Sequence, residues 1–152
     1  MGYGIIQCAD KKLHLISTGT IHLAKMGDHY DKLKRIFERV NYLITEYHPH
    51  VVALEAPFYG RNVQSMLKLG RAQGAAMSAA LTHHLPIYEY TPKKIKMAIT
   101  GNGNASKEQV AGMTQNILQF DNQPSYLDAT DAMATALCHH YQGLYKSRQI
   151  GH

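Results

Sequence analysis

Pro49 and Pro57 bracket the run Val51-Val52-Ala53-Leu54-Glu55. Four apolar residues between chain breakers are too few for a helix and too apolar for a solvated loop, so they read as a buried strand. A buried strand belongs to a layered sheet, and this one constrains the chain more than any other stretch. Its last residue, Glu55, emerges at the carboxyl edge of that sheet, where α/β proteins place their sites.

The flanking sequence supplies the layers. Gly2-Tyr-Gly-Ile-Ile-Gln7 and Leu13–Leu23 are two extended runs joined by the turn-like Ala9-Asp10-Lys11-Lys12, the pattern of an antiparallel hairpin. Asp28 is placed to cap a helix with Leu33, Ile36, Phe37, Val40, Leu43, Ile44 and Tyr47 at helical spacing, ended by Pro49. A long helix follows from about Val63 to His83, carrying Gly70, Gly74, Ala75, Ala79 and Ala80. Ile87–Tyr90 is a short strand, Thr91-Pro92 opens a helix, and Ser106 with Gln109 forms a capping box for the next one. The final helix begins near Asp128 and frays after Gly143. Strands followed by alternating helices and strands predict a mixed α/β sheet flanked by helices. At 152 residues the chain is read as a single domain over 1–145 with a basic, disordered tail at 146–152.

Lys and Arg number 16 against 11 acids, a net charge of +5. That balance favours an anionic partner without naming one. Cys8 and Cys138 show neither metal-ligand spacing nor a disulfide framework, as expected of a reduced, cytoplasmic chain. No run is long and apolar enough to span a membrane, and no export leader is read at the start.

Asp128 and Asp131 lie three apart, on one helix face. Each acid alone has an ordinary explanation, since carboxylates favour a helix's first turn and the ends of strands. Gathering them with Glu55 in apolar surroundings would be costly unless a cation lay between them. That combination points to magnesium and, in a basic chain, to phosphate chemistry on nucleic acid. Lys93, Lys94, Lys96 and Lys107 flank the Gly101-Asn-Gly103 loop, and Arg61, Lys68 and Arg71 follow the Glu55 strand. Both groups border the same candidate site, so they are read as phosphate contacts. Phe58 and Tyr59, next to Glu55, read either as core residues or as loop aromatics that stack on an unpaired base. Cys138-His139-His140 lacks a second ligand pair for zinc, and His139 lies roughly 16 Å along the helix from Asp128. His83-His84 sits at a helix end; both pairs are read as structural or surface residues.

Four stretches together, Ala53–Phe58, Asn62–Gly74, Thr100–Lys107 and Asp128–Ala132, resemble the RuvC-type Holliday-junction resolvases of the RNase H-like superfamily. The resemblance covers nearly the whole chain. It implies an RNase H-like mixed five-stranded sheet and metal binding by Glu55, Asp128 and Asp131. Magnesium is the implied cofactor, with manganese as a substitute. It further implies a loop aromatic at Phe58, near the junction centre, and cations at Lys96 and Lys107 close to the cleaved strand. A homodimer would nick two opposed strands of a four-way DNA junction, alongside the RuvA–RuvB branch-migration complex. The Val63–His83 helix is the expected dimer face. The family pattern opens earlier, with a central strand and a Gly-Ile-Asp-Pro-Gly turn bearing a first catalytic aspartate. That segment of about a dozen residues would precede Gly2-Tyr3-Gly4. Without it residues 1–152 are expected to cleave little, and the rival expectation is a catalytically silent junction binder.

Overall fold

A computed structural model describes residues 1–57, 60–121 and 127–150, the last six of these as backbone only. The hairpin forms as expected: β1 (Gly2–Ala9) pairs antiparallel with β2 (Lys12–Thr20). Its two-residue turn puts Asp10 and Lys11 at φ 51° and 63°, the left-handed geometry that matches strand twist. The register shifts between Ile5 and Ile6, a bulge that leaves Ile16 on β2 without a ladder partner and exposed. Helix α1 (His29–Tyr47) starts with the Asp28 carboxylate accepting from the Tyr30 amide. It stops at His48, which takes the left-handed conformation before Pro49.

β3 (Val52–Glu55) and β4 (Ile87–Tyr90) pair in parallel, joined by α2 (Val63–Thr82) as the crossover helix. Asn62 caps α2, and α2 lies against α1. Helices α3 (Pro92–Thr100) and α4 (Lys107–Leu118) follow, each with its expected cap: Thr91 for the first, the Ser106–Gln109 box for the second. Helix α5 (Leu127–Ile150) continues past Gly143 and is the hub of the molecule, touching β1, β3, α3 and α4. The main core gathers under it: Ile95, Ile99, Val110, Leu118, Met133 and Leu137 are buried together.

Among the described residues four strands form two separate two-stranded ladders, β1–β2 and β3–β4. Here the expectation of a fully buried strand at 51–55 is corrected. Val52, Ala53 and Leu54 are only partly buried, and Glu55 is exposed. The reason is an apolar cavity of about 490 Å³ between the ladders, roofed by α1 and α5, against which this strand lies.

Candidate active site

Glu55 is held at the tip of β3 by two backbone anchors. The amide of Ala56 donates to the Tyr90 carbonyl, and the Gln73 side-chain amide donates to the Glu55 carbonyl at 2.7 Å. Gln73 is buried on α2, so the crossover helix fixes the strand end that carries the acid. Asp131 comes from the second turn of α5. The two acids line a second cavity, of about 300 Å³, with Lys96 from α3 and Lys107 from α4. Pro92, Ile95, Val110 and Ala134 give it an apolar floor.

Electrostatics ties the four charged groups together. The Lys107 ammonium lies 3.0 Å from the Asp131 carboxylate. That hydrogen bond, then the charge of Asp131 and more weakly of Asp128 and Glu55, pushes the lysine pKa above its ordinary value. Partial desolvation and the repulsion of Asp131 raise the pKa of Glu55, against the pull of Lys107 and Lys96. Asp128 sits one turn earlier on α5, exposed, and outside the cavity wall. The expectation of buried acids is therefore corrected: Glu55 and Asp128 stand exposed at a rim, and only Asp131 is half-buried. Among the described residues no three acid, imidazole or thiol groups converge as a ready metal cage. The donor chemistry nevertheless suits a hard divalent cation, with carboxylate oxygens at one sheet edge and no sulfur or imidazole among them.

The basic residues separate in space. Lys96 and Lys107 join the acids. Lys93 is exposed, and its aliphatic chain covers Gly103, where an added Cβ would meet its Cγ at 2.9 Å. Lys94 turns instead over the Tyr90 ring, with its ammonium 5.6 Å from the centroid. Arg61, Lys68 and Arg71 are exposed along α2 and its approach, outside the cavity wall. Phe58 and Tyr59 lie outside the described residues. One histidine of each pair makes a structural contact: the His139 ring nitrogen Nδ1 is 2.7 Å from the Tyr90 hydroxyl, and His83 Nε2 is 2.6 Å from the Asn41 side-chain oxygen, while His84 is exposed. Cys138, beside His139, is fully buried and its thiol pKa is raised by that burial.

Three positions escaped the sequence reading. Gln73 lies within a helical pattern and gives no signal of its own. Gly2 and Gly4 set how closely β1 meets α5. A Cβ on Gly2 would lie 2.1 Å from the Asp128 carbonyl oxygen, and one on Gly4 2.6 Å from the Met133 side chain. The only hint is glycine inside a strand, which marks a close backbone approach.

The family model described as "Crossover junction endodeoxyribonuclease RuvC" matches residues 1–139. Proteins of that name from Cytophaga hutchinsonii and Christiangramia forsetii are 59% and 60% identical over 93% of this chain, which spans 71% and 73% of their lengths. The Thermus thermophilus RuvC structure superposes with a TM-score of 0.84 at 31% identity, covering 95% of this chain and 89% of that one. The structure of T. thermophilus RuvC in complex with Holliday junction substrate also gives 0.84, at 32% identity over 93% and 87% of the two chains. A family match across most of the chain, relatives near 60% identity and a shared fold lead to one conclusion: the chain belongs to the RuvC family of crossover junction endodeoxyribonucleases.

Proposed function

We propose that this protein is a structure-selective endonuclease that resolves Holliday junctions in DNA recombination and repair. The observation that carries the reading is the shared cavity at the end of β3, where Glu55 and Asp131 face Lys96 and Lys107. Two acids and two cations at one sheet edge suit a phosphodiester: the acids to hold a metal, the lysines to receive the negative phosphate.

Glu55, Asp128 and Asp131 are the residues that would hold a divalent cation, magnesium or in its place manganese. When bound, that cation would polarise the scissile phosphate and stabilise the charge that builds on it. Lys107 already spans from α4 to Asp131 and supplies a positive charge within reach of an entering strand. Lys96, from α3, lines the same cavity and adds a second positive charge there. Glu55, at the tip of β3 in the shared cavity, is also placed to orient an attacking water. Lys93, Lys94, Arg61, Lys68 and Arg71 extend the basic surface and position the DNA backbone, with Phe58 for an unpaired base.

Cutting two opposed strands calls for two active sites, hence a homodimer. The exposed Val63, Leu67 and Leu81 of α2, with open space beside Gly70 and Gly74, support that helix as the dimer face. The family resemblance adds the RuvA–RuvB branch-migration complex as a partner. A cytoplasmic site of action follows from the DNA substrate, and no described helix is long and apolar enough to cross a membrane.

The test is cleavage of a synthetic four-way junction, linear duplex and RNA–DNA hybrid in magnesium by the parent and Asp128→Asn proteins. The proposal expects paired nicks in the junction alone and their loss in the variant. Equal cutting by the variant would remove Asp128 from the site. Junction binding by folded parent protein without nicks in either metal would turn the reading to a silent binder.

A further inference from the structure

Glu55 and Asp131 reach the acid site from different elements, one at the end of β3 and the other on α5. Burial first, and then the charge of Asp131, raises the Glu55 pKa, so the two carboxylates already feel one another. A small divalent cation accepts oxygens only within a few tenths of an ångström of its preferred distance. The spacing between the end of β3 and the second turn of α5 therefore decides whether the two acids can share an ion. Apolar packing between elements is non-directional and tolerates sliding. A hydrogen bond is directional, and one such bond ties α5 to the ladder that carries Glu55.

Tyr90 is the link. It ends β4 opposite Glu55 in the parallel register, and its carbonyl accepts the Ala56 amide at 2.8 Å. Tyr90 is buried, and its hydroxyl meets His139 Nδ1 on α5 at 2.7 Å. Tyr88, two residues earlier and hence on the same strand face, lays its ring against the same imidazole with centroids 4.6 Å apart. The neighbouring Cys138 is fully buried with its sulfur 3.9 Å from the Lys94 carbonyl, and the Lys94 ammonium lies over the Tyr90 ring. β4, α3 and α5 thus meet at one point. His139 follows Asp131 by eight residues, about 12 Å along the helix axis. A closed path runs from Glu55 through the Ala56 amide, Tyr90 and His139, then back along α5 to Asp131.

We propose that Tyr90 and His139 are positioning residues of the metal site, and that their hydrogen bond sets how far the Glu55 strand end stands from Asp131. This role rests on Glu55 and Asp131 being cation ligands. Neither Tyr90 nor His139 lines the acid cavity, so both act through the elements they join. Without the bond α5 can slide on β4 by a fraction of an ångström, which the fold tolerates and a bound ion does not.

Manganese titration of the free protein, followed by electron paramagnetic resonance, reads the site without DNA. Tyr90→Phe removes only the hydroxyl and should weaken manganese binding about tenfold, the scale for losing an outer partner of a metal ligand. His139→Leu should weaken it equally. His139→Asn keeps a hydrogen-bonding atom close to the place of Nδ1 and should stay within about twofold of the parent. The double variant Tyr90→Phe/His139→Leu should bind no more weakly than either single one, since both changes remove the same bond. Junction affinity in metal-free buffer should be the same in all of them. A Tyr90→Phe protein that melts lower yet binds manganese as the parent does would show a bond that only stabilises the fold, and would overturn the proposal. Loss of manganese binding in His139→Asn would overturn it too, as would a fall in junction affinity alongside the metal. A parent that binds no manganese would instead remove the acids as a metal site, and the positioning role with them.

Discussion

Glu55 and Lys107 carry opposite consequences of one arrangement. The folded state binds a proton on Glu55 more tightly than the unfolded chain does, because desolvation and Asp131 raise its pKa above 4.5. Its contribution to stability is then fully present below the unfolded pKa and is lost as pH rises through the folded value. Glu55→Gln should accordingly melt higher than the parent at pH 7 in metal-free buffer, with the gap closing as the pH falls below about 4. Melting curves across that range check it, and a gap that widens in acid would contradict the raised pKa. Lys107 behaves differently. Its ion pair with Asp131 is largely exposed, 56% and 42% for the two side chains, so it adds little to folding. Lys107→Met should shift stability by less than about 0.5 kcal/mol while slowing junction cleavage about a hundredfold, the usual scale for losing one positioned charge-stabilising group. Chemical denaturation and single-turnover cleavage separate the two effects; a large loss of stability would show that the pair is structural.

At the scale of elements, the placement of α5 decides whether Asp128 and Asp131 reach the site. Its first turns are seated on β1 through Gly2 and Gly4, where a side chain has no room. Gly2→Ala puts a methyl into the Asp128 carbonyl, and rigid backbone on both sides leaves only a shift of α5 to relieve it. Overpacking of this kind costs about 1–3 kcal/mol, and the shift should also lower cleavage, whereas alanine at the open Gly112 position should do neither. Thermal melts and cleavage rates of the two variants test that contrast. The same region shows what the sequence makes legible. Caps at Asp28, Asn62, Thr91 and Ser106 are local chemistry, and the caps inferred at Asp28, Thr91 and Ser106 form where residue type and spacing placed them. Asp128 and Asp131 were recognisable by their spacing and Glu55 by its strand. The role of Gln73 was not, because its bond to the Glu55 carbonyl exists only once α2 has crossed over β3. Nor could adjacency separate Lys93 from Lys94, which diverge because successive positions on a helix face different sides. The half-open burial of β3 was misjudged for a related reason: apolar composition reports what a strand can bury, not which neighbours lie along its edge.

For the whole molecule, the issue is how one acid site becomes two. Along α2 the positions 63, 67, 70, 74, 77 and 81 recur at alternating steps of four and three, so they lie on one stripe. Val63, Leu67 and Leu81 on it are exposed, and α1 packs against a different side that buries Ala76, Ala79 and Ala80. Solvating three large apolar side chains on a single stripe is unfavourable, at roughly 25 cal/mol per Å² of apolar surface, and a two-fold contact through α2 would remove them from water. The open space beside Gly70 and Gly74 lets a second helix approach closely without steric conflict. Leu67→Glu places a like charge in each half of such a contact, so it opposes association twice over while leaving the buried side of α2 untouched. The expected result is a parent that sediments as a dimer and a variant that sediments as a monomer with unchanged circular dichroism. Junction binding should then weaken steeply, and the remaining nicks should become unpaired, since each monomer brings a single Glu55–Asp131 cavity. A variant that still sediments as a dimer would move the interface off α2, and a monomer that still makes paired nicks would separate symmetric cutting from dimerisation.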